Sequence, residues 1–401
     1  MSTLTLKPWV FLAGLFTALP AQADTYYEMS GKVTADLRYF TQDAQFEGQD
    51  YDTNLSFTVE PEFFWEWNDG TDSLTFTPFL RVDERDSERT HADIRELSWV
   101  HIGDDWELRT GLRKVFWGVT EFQHLVDVIN QTDAVEDFDG EDKLGQQMIN
   151  LSLVRDWGII DLFLLPGFRE RTFPGEEGRL RAGVVVDTNR AEFESGAGEN
   201  HIDTAVRWSH TLGDFDLGAY WFHGTNRDPK LLARDINGQT VLVPFYEQMD
   251  QLGFDLQATI DSWLWKFETI HRDTRSENFW AAQAGLEYTF YGIRDSAADM
   301  GVLFEYGWDQ RGQEADAAIQ NDIFLGTRVT LNDAESTELL AGISHDLDYD
   351  SQSVIIEASR RFGDNFKLSI DGRFFSTDNP ADLSYSIRKD DHLQLTLERY
   401  F

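Results

Sequence analysis

The sequence contains no cysteine, so neither a disulfide framework nor a thiolate metal site is open to it. It also lacks any internal apolar run near the roughly 20 residues that a membrane helix needs, and its mean hydropathy is −0.42. Positive charge is scarce: 34 Lys and Arg stand against 72 Asp and Glu, a formal net charge of −38. Such a surface repels nucleic acid. It attracts cations, although adaptation to a saline habitat would leave the same composition. There is no H-E-x-x-H, G-x-S-x-G or phosphate loop. A rim hydrolase holds a His close to Ser, Asn or Asp, whereas His124, His201, His210, His223, His271 and His345 are scattered without a shared motif. No catalytic residue and no cofactor are expected.

What the chain has is alternation. Val33, Ala35, Leu37 and Tyr39 fall at every second position, as do Leu55, Phe57, Val59, Phe63, Trp65 and Trp67 with Ser56, Thr58, Glu60, Glu62 and Glu66 between them. A strand sends alternate side chains to opposite faces. Later runs repeat the pattern, among them Leu252/Phe254/Leu256/Ala258/Ile260 and Trp280/Ala282/Ala284/Leu286/Tyr288/Phe290. Each run is close to the 9–11 residues of a tilted strand that spans a bilayer. Eighteen strands are predicted, near 31–41, 53–67, 73–84, 90–103, 106–117, 146–156, 158–166, 201–212, 214–224, 249–260, 263–274, 278–291, 299–310, 322–331, 336–347, 352–361, 365–377 and 390–401.

The fold class is therefore all-β, a transmembrane antiparallel barrel with short periplasmic turns and long outer loops. Sixteen strands would result if two weak ones fail. Twenty would result if the leftover segments 180–186 and 241–245 joined the wall; both are placed in outer loops, as small hairpins. Pro61 and Pro78 cannot donate to a ladder and mark bulge or rim positions. On this reading the apolar half of each repeat points at lipid and the ring encloses water. Aromatics at 14% suit two interfacial girdles.

The two ends agree. Lys7, the apolar run from Trp9 to Leu19 and then Ala21-Gln22-Ala23 have the layout of a secretory signal, residues 1–23, too short to span as a helix. The rest, 24–401, forms one domain. At the other end Leu393, Leu395, Leu397 and Phe401 alternate with Gln394, Thr396 and Glu398. This resembles the C-terminal strand of bacterial outer-membrane barrels, whose final Phe is read by the barrel-assembly machinery; Arg399 departs from that pattern and is placed at the periplasmic rim. The resemblance implies a Gram-negative outer membrane, with its lipid and lipopolysaccharide as surroundings.

The loop after the fifth strand, 118–146, contains Leu125, Val126, Val128 and Ile129, too apolar for a loop in water, and is predicted to fold into the barrel with a short helix. An in-folded loop narrows a pore and controls selectivity. Phe116-Trp117-Gly118 followed by Asp127-Val128-Ile129-Asn130-Gln131-Thr132-Asp133 resembles the W-G…D-x-I-N-x-x-D stretch of a large group of porin-like outer-membrane proteins. Asp93-Ile94-Arg95-Glu96-Leu97 and Leu164-Leu165-Pro166-Gly167-Phe168 are similar too. A looser likeness extends to alginate-export and eighteen-stranded substrate-specific porins. The resemblance implies passage of a small or hydrophobic solute.

Candidate pore residues are Arg81, Arg109, Arg113, Trp117, Glu121, His124, Asp127, Asn130, Asp133, Arg328 and Arg373. Parity puts Arg272, Arg361, Glu268, Glu287, Glu305, Glu357, Asp371 and Glu398 in the lumen as well. These charges either set up a transverse field or pair along a wet wall; the loop residues either touch solute or pin the loop. Asp137, Asp139 and Asp142 have carboxylate density for Ca²⁺ without the spacing of an EF-hand, and a solvated acidic loop is the simpler reading. The expected function is a passive, cation-preferring channel, possible as a homo-oligomer. The alternatives are an outer-membrane part of an export assembly and a barrel hydrolase.

Overall fold

The computed structural model describes residues 25–317 and 319–401; the expected leader, 1–23, lies outside them. Eighteen strands form one antiparallel sheet: Tyr26–Phe40, Thr53–Trp67, Asp72–Asp83, His91–Ile102, Trp106–Arg113, Gln146–Arg155, Gly158–Pro166, Ile202–Leu212, Phe215–Thr225, Gln248–Ile260, Trp263–Thr274, Asn278–Phe290, Asp299–Asp309, Asn321–Thr330, Glu338–Asp346, Gln352–Phe362, Phe366–Ser376 and His392–Tyr400. Each pairs with its neighbour in sequence. The ring closes where the first strand meets the last, from Lys32 opposite Tyr400 to Phe40 opposite His392. Closure leaves no strand edge to satisfy. No helix of the described residues is long and apolar enough to cross a membrane.

Alternation decides which way each side chain points. In the first strand Thr34, Asp36 and Arg38 are buried inside, while Val33, Leu37 and Tyr39 are exposed outside. Around the ring the outer face keeps Phe57, Val82, Trp265 and Leu325 about half exposed. A continuous apolar belt of this kind far exceeds the patches that a monomer in water leaves bare, and it suits hydrocarbon. Near the short-turn end the belt turns aromatic: Trp263 packs against Trp265 at 5.7 Å and Tyr288 at 4.7 Å, and Tyr288 against Phe290 at 4.8 Å.

Thr25, the first described residue, and Phe401 lie at the short-turn end. Phe401 closes the last strand through paired backbone hydrogen bonds with Gly31, 3.0 Å each way. A Cβ at Gly31 would sit 2.7 Å from Pro61 Cα and 2.9 Å from the Phe401 ring. Glycine is required there by close approach.

The two prolines mark a real irregularity. Pairing of Thr53–Trp67 with Asp72–Asp83 lapses between Val59–Leu80 and Phe63–Phe76. Against the next strand the register shifts at Thr77/Pro78, leaving Arg95 opposite no residue. The bulge puts both Arg95 and Glu96 on the lumen side, Arg95 in phase with His91 and Asp93, Glu96 in phase with Ser98.

Several expectations need correction. The fifth strand ends at Arg113, not 117, because Asn130 captures the backbone at Arg113 and Val115 and peels the chain inward. Residues 180–186 form no hairpin; only Val186 makes a bridge, to Leu242. Residues 241–245 do belong to an outer hairpin, Lys230–Ile236 with Gln239–Tyr246, turned by Asn237-Gly238 at positive φ. The largest correction concerns the interior. Met148, Phe163, Leu165, Tyr220, Phe222, Met249, Ile270 and Phe279 point inward from neighbouring strands and build an apolar core with the in-folded loop. Greasy side chains thus serve two surfaces, lipid outside and loop inside.

Candidate constriction site

The loop between Arg113 and Gln146 lies inside the barrel, and it contains no helix. Its backbone amides find wall carboxylates in place of a helical ladder. Glu268, fully buried, accepts hydrogen bonds from the Val119 amide at 2.6 Å, the Thr120 amide at 3.0 Å, the Thr120 hydroxyl at 2.7 Å and the Val126 amide at 3.2 Å. Glu305 accepts from the Glu121 and Phe122 amides at 2.8 and 3.0 Å, and from Gln283 Nε2 at 2.8 Å. Buried amides need partners, and two wall glutamates supply them. A helix would have satisfied the amides internally and left those glutamates stranded.

Apolar packing holds the same segment. Trp117 lies 4.8 Å from the Tyr220 ring and 5.7 Å from Phe163, with the Arg207 guanidinium 4.9 Å from its ring. Val126 and Ile129 are wholly buried, each contributing about 1.5–3 kcal/mol relative to exposure. Phe122 stacks on Phe324 at 4.9 Å. Beside it Glu121 pairs with Arg328 at 2.5 Å and Lys266 at 3.4 Å.

Asn130 fixes the crossing. Its Oδ1 accepts from the Val115 amide, and its Nδ2 donates to the carbonyls of Arg113 and Leu144, all at 2.8 Å. One side chain therefore staples both ends of the loop to its middle. Gly118 is close by at φ 143°, where a Cβ would meet His124 Nδ1 at 2.7 Å. Asp127 faces Lys143 at 3.3 Å, and His124 faces Glu141 at 3.2 Å. Arg227 donates to the Ile129 carbonyl at 3.0 Å and to Asp203 at 2.6 Å.

The second half of the loop reaches the opposite wall. Asp133, fully buried, meets the bulge residue Arg95 at 2.6 Å and the Thr172 hydroxyl at 2.8 Å. Glu136 receives Arg81 through Nε at 2.9 Å and Nη2 at 2.6 Å, while Arg81 Nη1 reaches Asp36 at 2.8 Å. Arg89 binds the Val135 carbonyl at 2.9 Å. His91 stands 3.4 Å from Glu136 and 3.8 Å from Asp133. These three form the one His/Asp/Glu group with metal-ligand proximity among the described residues. Its carboxylates already carry Arg95 and Arg81.

Farther along, Asp137 faces Arg38 at 3.4 Å and Asp139 faces Arg373 at 3.8 Å. Two of the three carboxylates considered for Ca²⁺ thus look at arginines. Enclosure in the lumen, followed by repulsion from Asp137, pushes the Asp139 carboxyl up to about 7. Enclosure, with Glu136 and Asp137 nearby, pushes Asp142 up to about 6.

The structure gathers nine of the candidates around this loop: Arg81, Trp117, Glu121, His124, Asp127, Asn130, Asp133, Arg328 and Arg373. Arg109 and Arg113 lie apart on the fifth strand, where Arg109 pairs with Glu107 and Arg113 has no carboxylate within 4 Å among the described residues. Phe401 sits at the short-turn end of the wall. The residues of the D-x-I-N-x-x-D stretch are mostly loop anchors, and Asp93, in the companion stretch, holds Arg169 at 2.8 Å. Arg89, Arg207, Arg227, Lys266 and the anchoring roles of Glu268 and Glu305 escape sequence reading. The available signal was strands such as Gly158–Pro166, apolar on both faces, which implies burial on both.

No family model matches the chain, and no curated protein matches it. Among solved structures, it is similar to a loop-deletion mutant of the outer-membrane protein OmpT of Vibrio cholerae, at 8% identity, covering 94% of this chain and 99% of that one with a TM-score of 0.47. A mutant porin of Rhodopseudomonas blastica is similar at 11% identity, covering 94% and 100%, with a TM-score of 0.46. At such identities and scores these likenesses carry no weight for function. The class defined by the chain itself is a closed eighteen-strand antiparallel barrel with an in-folded loop.

Proposed function

We propose that the chain is an outer-membrane channel of the porin type, through which ions and small organic solutes diffuse passively, with cations preferred. One observation carries this reading: a lipid-compatible closed barrel holds a loop across its interior by buried anchors on opposite walls. An enclosed, anchored loop leaves a polar route of fixed width, the arrangement by which pores select. The cation preference rests on lumen-facing carboxylates. Glu60, Glu62, Glu96, Glu287 and Asp371 have no Lys or Arg within 4 Å among the described residues, whereas the arginines at the loop are occupied by anchoring. Unpaired carboxylates in a confined lumen raise local cation concentration. The apolar belt suits outer-membrane lipid and lipopolysaccharide as surroundings. Zero-current potentials in a KCl gradient test the reading. Cation-selective potentials support it; anion-selective potentials, or lipid-embedded barrels that never conduct, overturn it.

A further inference from the structure

At the long-loop end a cleft open to solvent descends onto the in-folded loop. Its two sides differ in chemistry. Leu125 of the loop, Ile270, Phe279 and Ala281 of the wall and Ile319 form an apolar floor. The rim carries five carboxylates, Asp228, Glu247, Glu277, Asp309 and Asp316, against three cations, Lys230, Arg272 and Arg311.

The cations are all taken. Arg311 reaches Glu277 at 2.6 Å and Asp309 at 2.7 Å, and lies over the Phe279 ring at 3.5 Å. Arg272 reaches Asp228 at 2.9 Å, and Lys230 reaches Glu277 at 2.8 Å. Two carboxylates remain short of positive charge. Glu247 is buried, accepts from the Ser276 hydroxyl at 2.6 Å, and has its nearest cation, Lys230, only at 3.9 Å. Asp316 is exposed, with no Lys or Arg within 4 Å among the described residues.

We propose that this cleft is an outer binding site for small organic cations with an apolar body, such as primary alkylammonium ions, which pass from it to the constriction loop. This rests on the channel reading and adds the solute class. The alkyl body lies against Leu125 and Ile319 and gains by leaving water, while the ammonium meets Asp316 and Glu247, the two rim carboxylates with no Lys or Arg closer than 3.9 Å. An organic anion would have to displace Glu277 or Asp309 from a paired guanidinium. A bare inorganic cation would gain nothing from the floor.

Isothermal titration calorimetry on the detergent-folded full barrel tests this with hexylammonium, methylammonium and hexanoate as probes. Hexylammonium is expected to bind at least tenfold more tightly than either of the others. Asp316→Asn combined with Glu247→Gln keeps the hydrogen-bond acceptors and should weaken hexylammonium about tenfold. Ile319→Ser should weaken hexylammonium and leave methylammonium unchanged. Heat-modifiable migration on gels checks that both variants fold. Equal or tighter binding of hexanoate, or unchanged binding in the charge variant, overturns the proposal. Bilayer conductance is read separately: a conducting barrel that ignores hexylammonium refutes the site alone, and a silent barrel that binds it refutes the channel alone.

Discussion

Glu268→Ala is the sharpest perturbation of the loop. The Glu268 carboxylate is fully buried and accepts four hydrogen bonds from residues 119–126, three from amides and one from a hydroxyl. Alanine leaves the three amides without a partner, at about 1–3 kcal/mol each if they stayed dry, while the Thr120 hydroxyl keeps the Gln123 carbonyl. They will not all stay dry, since the lumen can supply water, so a cost of about 3–5 kcal/mol is expected, as for breaking a buried charged network. That is about the size of what the remaining anchors hold together: the two Glu305 hydrogen bonds, Phe122 on Phe324 and the Glu121–Arg328 pair, at about 1 kcal/mol each. Segment 119–126 should then leave the wall for much of the time. Glu268→Gln should be milder: one amide oxygen can still serve Val119 and Thr120, and only the Val126 amide meets a donor, for about 1–3 kcal/mol. Single-channel recording should show open-state noise rising from wild type to Gln to Ala. Hydrogen exchange should accelerate at the Val119, Thr120 and Val126 amides in the same order. Quiet, identical channels and unchanged exchange in the alanine variant would refute the anchoring role.

Other outcomes follow from the same geometry. Asn130→Ala removes three hydrogen bonds of 2.8 Å and should cost about 2–4 kcal/mol, read as loss of heat resistance in gel-shift unfolding with the strands retained by circular dichroism. Arg81→Ala takes the close cation from the buried carboxylates of Glu136 and Asp36, leaves Glu136 with Arg95 at 3.5 Å, and should cost about 3 kcal/mol by the same assay, whereas Arg81→Lys should recover part of it. For pH, the Asp139 and Asp142 carboxyls titrate near 7 and 6, above their unfolded values. The folded loop thus holds extra protons between about pH 4 and 7, so its stability falls as pH rises through that window. Cation preference, measured as zero-current potential, should be larger at pH 8 than at pH 5, and Asp139→Asn should flatten the difference. Gly31→Val should push the new side chain into Pro61 and the Phe401 ring, lowering the yield of heat-modifiable barrel; normal yield would show that this contact is not needed.

The wall was legible because its physics is local. A side-chain period of two, bounded by turn residues, marks each strand, and all eighteen appear within a few residues of where the alternation puts them. Pro61 and Pro78 also announced their irregularity, through the missing amide donor. The interior was harder to read. Phe163 and Leu165 look like the lipid-facing Leu162 and Leu164, and only a second surface pressed against the strand explains both faces. Leu125, Val126 and Ile129 did reveal that the loop must be buried. The choice of backbone shape depended on Glu268 and Glu305, more than 140 residues away, and no local pattern reports which wall carboxylate an amide will find. Arg95 was hidden for a different reason: the bulge changes parity within its strand, so alternation counted back from Leu97 puts it on the outer face.

Single-channel recording of the wild-type barrel beside a variant lacking residues 119–145 addresses the central claim directly. Discrete conductance steps in the wild type, and larger ones in the deletion variant, are predicted if the loop narrows a water-filled route. A wild-type barrel that inserts but never conducts, or steps of equal size in both proteins, would contradict it.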